Sequence, residues 1–122
     1  MNRKIKLELV NDGKKQVYKV PCEHTFDDEE KLTFTFSGNE TEITIRDEEI
    51  VLNNNNKRKK IKTVLIIREK EPIGGIKSLY GNTRFDMANA NFKISGDTIS
   101  IYYCINSSGD QTKHYITITF LT

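Results

Sequence analysis

The chain has 122 residues, a net charge of +2, and 30% charged against 36% hydrophobic residues, which is room for one domain around one core. It holds no run of about 18 apolar residues, which excludes a membrane-spanning helix. Its two cysteines, Cys22 and Cys104, are too few for a disulfide framework or a zinc motif.

Met1 to Lys6 contains no apolar core of a leader peptide and alternates at once, so it reads as the start of a first strand in a cytoplasmic protein with reduced thiols. Ile5 to Leu9 continues the alternation and stops at Asn11-Asp12-Gly13, where Asp-Gly supplies the positive φ angles of a hairpin turn. Gln16 to Val20 returns, and Pro21, which has no ladder donor, is expected to end it. Glu23 to Glu30 reads as a polar connection. Leu32 to Phe36 keeps its apolar residues on one face, and Ser37-Gly38-Asn39 turns it into Glu42 to Arg46. Glu49 to Leu52 follows, then Asn53 to Arg58 as a solvated loop. Lys60 to Arg68 is the next strand, which Pro72 and Gly74-Gly75 break.

Beyond Tyr80 the alternation predicts three strands joined by tight turns. Phe85 and Met87 share a parity that Phe92 and Ile94 do not, so Ala88 to Asn91 should hold a β-bulge. Thr98 to Tyr103 and His114 to Phe120 flank a turn at Ser107 to Asp110. No segment has helical periodicity. The fold class is all-β: a single antiparallel, mostly meandering barrel of about 8–9 strands over residues 1–122, because closure removes the exposed edges of so large a sheet. The inward set runs from Leu7 and Val17 through Phe34, Phe36, Ile43, Leu65 and Met87 to Ile101, Tyr103, Ile116 and Ile118.

Ser78-Leu79-Tyr80-Gly81-Asn82-Thr83-Arg84-Phe85-Asp86-Met87 resembles the segment with a Tyr-Gly step that enters a long strand in the YwiB-like proteins, a family of small bacterial proteins. Ile99 to Tyr103, the turn at Gly109, and His114 to Ile118 are similar to that family's closing strands. The family more often has Pro at Leu79 and Thr at Asn82. The resemblance implies a calycin-like (lipocalin-like) β-barrel and brings no catalytic residues with it.

Residues 23–50 are strongly acidic and residues 57–84 strongly basic. Opposite blocks on successive strands are expected to attract across the sheet surface. Lys57-Arg58-Lys59-Lys60 would serve a nucleic-acid loop better with aromatics interleaved, and none lies between Asn53 and Lys70; no nucleic-acid or membrane partner is expected. His24 with Asp27 to Glu30 lacks the spacing of a calcium loop, so a surface connection is favoured over a metal site, and no cofactor is expected. Covalent catalysis needs a nucleophile beside a base. If Ser108-Gly109 centres the last turn, Cys104 faces Lys113 and His114 points to the opposite face, with Cys104 outside the barrel and partly exposed. No catalytic constellation emerges, and an enzyme is not expected.

Tyr103, on the inward parity, needs a buried partner or a cavity for its hydroxyl. With Met87, Phe34 and Tyr80 it forms the candidate ligand-binding set for a small, partly apolar molecule in the barrel mouth. Val64 and Ile66 project from the face opposite Leu65 and Ile67, and are the candidate interface for a protein partner or a homodimer. On that second reading the barrel is filled and the protein is a non-catalytic interaction domain.

Overall fold

A computed structural model describes residues 1–122. Its strands are β1 (Asn2–Asn11), β2 (Lys14–Thr25), β3 (Glu30–Phe36), β4 (Asn39–Ile45), β5 (Ile50–Asn56), β6 (Ile61–Ile67), β7 (Ile73–Ser78), β8 (Gly81–Ser95), β9 (Thr98–Ser107) and β10 (Asp110–Phe120). Each pairs antiparallel with its neighbour in sequence, and β1 closes on β10, making an up-and-down barrel. The all-β meander is as the alternation predicts, with ten strands instead of eight or nine.

The additional strand is β7. Its Gly74 and Gly75 read as a break, yet they pair with Leu65 and Val64 of β6. A Cβ at Gly74 would lie 2.5 Å from Met87 Sδ and 2.6 Å from Phe85 Cδ2. Side chains of β8 thus occupy the space that a side chain on β7 would need. The links at Asp12-Gly13, Ser37-Gly38 and Ser108-Gly109 have φ from 45° to 87° at both residues, the mirror-image turn whose twist matches the strands it joins. The β8–β9 register shifts between Ala88 and Asn91, and Asn89 has φ 52°. This bulge brings both Met87 and Ala90 inside.

Several local expectations are overturned. β2 runs through Pro21 to Thr25, and only Phe26 to Glu29 connect it to β3. Pro21 is tolerated because β3 pairs with β2 only over Cys22 to Thr25, so Pro21 stands where that ladder has already stopped. The register Leu7↔Tyr18 and Ile5↔Val20 turns Tyr18, Val20 and Cys22 inward. Val17, expected inside, is 46% exposed, since in a strand each neighbour takes the other face. Asn53 to Asn56 are not a loop but the end of β5.

The core contains Ile5, Leu32, Ile43, Ile50, Ile67 and Ile118, all with no exposure. Each such side chain contributes roughly 1.5–3 kcal/mol on burial. The acidic and basic blocks, expected to pair, meet only at Lys57–Glu40 (2.9 Å) and Arg68–Glu49 (3.4 Å). In a meander consecutive links fall at opposite ends. The acidic links 26–29 and 46–49 therefore share one end, and the basic link 57–60 lies at the other.

Candidate functional site

The two ends of the barrel are closed differently. At the end that carries the termini, His24 is 5% exposed. It lies 3.0 Å from Glu30 Oε2 through Nε2 and 3.3 Å from the Arg3 guanidinium through Nδ1. Its ring stacks on Phe120 at 5.2 Å and 7°, and Arg3 lies 4.0 Å over the same Phe120 ring. His24 is thus part of a packed plug, whereas the sequence placed it in a surface connection. No three His, Cys, Asp or Glu side chains group to hold a metal.

The opposite end is open. A cavity of about 300 Å³ enters there, its floor and walls built by Leu7, Leu9, Phe34, Phe36, Ile43, Leu52, Leu65, Tyr103 and Ile116. Above this apolar part the inward positions of β4, β5 and β6 become polar. The Thr41 hydroxyl donates to Asn54 Oδ1 at 2.7 Å. The side-chain amides of Asn54 and Asn56 both donate to Asn39 Oδ1, at 3.1 and 3.0 Å. The Lys59 backbone N–H donates to Asn56 Oδ1 at 3.0 Å. Strand register builds this ladder, because Asn39 faces Asn56 and Asn54 stands between Thr41 and Thr63.

Across the mouth, Tyr103 is 8% exposed and stacks on His114 at 4.9 Å and 14°. His114 Nδ1 is 2.9 Å from Asn11 Oδ1, and Nε2 is 2.8 Å from Thr112 Oγ1. A neutral ring satisfies both, donating to the amide oxygen and accepting from the hydroxyl. Burial pushes the Tyr103 phenol up to about 12. Burial also holds His114 below its ordinary 6.5, against the opposing pull of Asp12. Both groups are uncharged near neutral pH, so this wall offers hydrogen bonds and ring faces without charge.

The opening lies beside a seam. Past Cys22↔Phe34 the β2–β3 ladder ends, and a Tyr18–Phe36 ring contact at 5.2 Å bridges the strands instead. Lys14, Lys15, Lys19 and Pro21 occupy the stretch of β2 that pairs with β1 but not with β3, residues that discourage strand addition at an edge. Gln16 and Phe36 from the two sides of the seam both line the cavity.

Of the candidate ligand-binding residues, the fold brings Phe34 and Tyr103 together in this cavity. Met87 is 7% exposed but packs beside Gly74, outside the lining. Tyr80 is 99% exposed in the two-residue link between β7 and β8, away from the barrel interior. Val64 is 41% exposed, while Ile66 is half-buried between Val51 and Ile73 of the flanking strands. Cys104 faces Lys113 and His114 faces Tyr103, which puts the thiol and the imidazole on opposite faces as the turn geometry requires. Cys104 is nonetheless fully buried, not partly exposed. The Tyr102 hydroxyl lies 2.9 Å from its sulfur, and the strand that bulges at Ala88 runs alongside. Both cysteines are free thiols.

Sequence reasoning missed Asn39, Thr41, Asn54 and Thr63, because a chain rich in Asn makes each one look incidental. Parity holds the signal: Asn54 shares a face with Leu52, Thr41 with Ile43, and Thr63 with Leu65.

These features define a class: a small, closed antiparallel barrel, sealed at one end and open at the other. No protein-family model and no curated protein matches the chain. Its fold is similar to that in the crystal structure of the ywiB protein from Bacillus subtilis, with a TM-score of 0.62 and 12% sequence identity, over 99% of this chain and 94% of that one. The likeness confirms the YwiB-like barrel architecture that the Tyr80-Gly81 segment suggests. No helix is long and apolar enough to cross a membrane.

Proposed function

We propose that the protein is a calycin-like binding module of one domain that takes a small, partly apolar molecule into the barrel mouth, in the cytoplasm and without catalysis. The observation that carries this reading is the cavity: apolar below, amide-lined above, and open while the other end is plugged. Sites for small molecules are commonly of this form, an apolar concavity with a few placed polar groups. Phe34, Phe36 and Leu9 would pack the apolar portion. The Tyr103 hydroxyl and the Asn54 amide would fix its orientation. Cys22 and Cys104, buried as free thiols, are in keeping with a reducing compartment.

The test is a screen of small, partly apolar amides and carboxylates by ligand-observed NMR and thermal shift. It compares the wild type with Leu9→Trp, which fills the mouth, and with Tyr80→Ser, which leaves it open. Hits are expected to bind the wild type and Tyr80→Ser and to fail with Leu9→Trp. Equal binding to a folded Leu9→Trp protein, or no hit at millimolar concentration, would sink the reading and leave an interaction domain that works through its surface.

A further inference from the structure

We infer that the rim formed by the β5–β6 and β7–β8 links, with the outer faces of β6 to β8, docks on an anionic phospholipid surface. Strand register assembles this face from residues that are far apart in the chain. Lys62 of β6 stands directly opposite Lys77 of β7, and Arg84 of β8 opposite Gly75, one step along the same outer face. The link above them is Lys57-Arg58-Lys59-Lys60, in which only Lys57 has a carboxylate partner, Glu40 at 2.9 Å. Like charges directly opposite across a sheet disfavour folding, and an external anion would relieve them.

The adjoining link adds an apolar tip to this basic face. Leu79 is 73% exposed and Tyr80 99% exposed. The pairing Lys62↔Lys77 sets this tip beside Lys60. The Tyr80 N–H is tied to Ser78 Oγ at 3.1 Å, and Gly81, at φ 113°, completes the turn. Stable attachment to a bilayer takes two signals, a basic patch and an apolar insertion. Tyrosine in particular settles at headgroup depth. The acidic links at the far end are repelled by the same surface, so only one orientation is favoured, with the mouth toward the lipid.

A single-stranded nucleic acid fits less well. Such sites combine a groove that tracks the backbone with several stacking aromatics, and this face is a convex sheet with one exposed ring beside a leucine. The sequence argued against a membrane partner from the lack of a spanning segment, and against nucleic acid from the lack of aromatics near residues 57–60. Neither consideration sees the register that joins Tyr80 to the lysines.

Co-sedimentation with vesicles tests the inference, using phosphatidylglycerol mixed with phosphatidylcholine against phosphatidylcholine alone. The expected result is binding to the anionic vesicles only, weakening as salt rises. Binding should fall roughly fivefold for each cation removed in Lys62→Gln, Lys77→Gln and Arg84→Gln. Leu79→Ser with Tyr80→Ser should cost a further tenfold or more while the salt dependence persists. These are exposed positions, and circular dichroism checks that each variant keeps its sheet. No binding to anionic vesicles at low salt overturns the proposal. So does binding that ignores the Leu79 and Tyr80 changes, which would mark unspecific charge attraction. Tighter binding to an oligo-dT strand, lost in the same variants, would make the face a nucleic-acid site instead.

Discussion

The sealed and open ends of the barrel are built from strands with the same alternation, yet their inward residues differ in kind. Toward the plug the inward side chains are Ile5, Leu32, Ile50 and Ile67, all without exposure, capped by the stacked His24 and Phe120 rings. Toward the mouth the corresponding positions are Asn39, Thr41, Asn54 and Thr63. Branched aliphatics interlock and expel water. Amides and hydroxyls must keep their hydrogen bonds, so Asn39, Thr41 and Asn54 pair with one another along the wall and leave the centre free. Alternation thus closes the barrel, and the chemistry of the inward residue decides whether a given layer is filled.

Truncation should separate the ends most sharply. Ile67→Ala removes a fully buried side chain and should cost about 2–5 kcal/mol, since a new cavity is left behind. Leu9→Ala enlarges a cavity that already exists and should lose only the transfer part, about 1–2 kcal/mol. Chemical denaturation of both variants checks this. Equal losses would mean that the mouth is packed as tightly as the plug.

Asn54 offers a smaller and more local test. Asn54→Ala leaves the Thr41 hydroxyl without its acceptor and removes one donor from Asn39, for an expected loss of about 1 kcal/mol. Asn53→Ala, on the outward parity of β5 and exposed, should stay within about 0.5 kcal/mol. Similar losses at the two positions would show that the amide ladder gives the mouth no stability of its own.

The smallest effect is a pH dependence confined to the mouth. His114 has its folded pKa below the ordinary 6.5 because of burial, so the unfolded chain binds the proton first as pH falls. The stability this provides is complete above the unfolded value and is lost as pH falls through the folded one. The stability difference between wild type and His114→Gln should therefore shift against the wild type from about pH 7 to about pH 5. A difference that stays constant over that range would place His114 in contact with water.

The C-terminal strands were the most legible part of the chain. Turn residues at Gly96 and Gly109 and strict alternation from Thr98 to Phe120 locate β9 and β10, and the slipped parity of Phe85 and Phe92 locates the bulge. β7 was illegible, because a Gly pair after a proline has the signature of a break. Its strand is made by ladder pairing with β6 and β8, and glycine stands at 74 because Phe85 and Met87 fill the space a side chain there would need. In the candidate site, Phe34 and Tyr103 could be read from parity alone. The amide ladder could not, since Asn39, Thr41 and Asn54 meet only through the pairing of three strands.

By itself, then, the sequence determined an antiparallel meander with one apolar face, because period-two alternation between tight turns has few other ways to bury that face. Tertiary structure decided what closure makes of it. Register chose which polar residues face one another inside, leaving one end plugged and the other open. The alternation of links between the two ends carried the acidic links 26–29 and 46–49 and the basic link 57–60, neighbours in sequence, to opposite poles of the barrel, because every connection in an up-and-down barrel returns the chain to the end it last left.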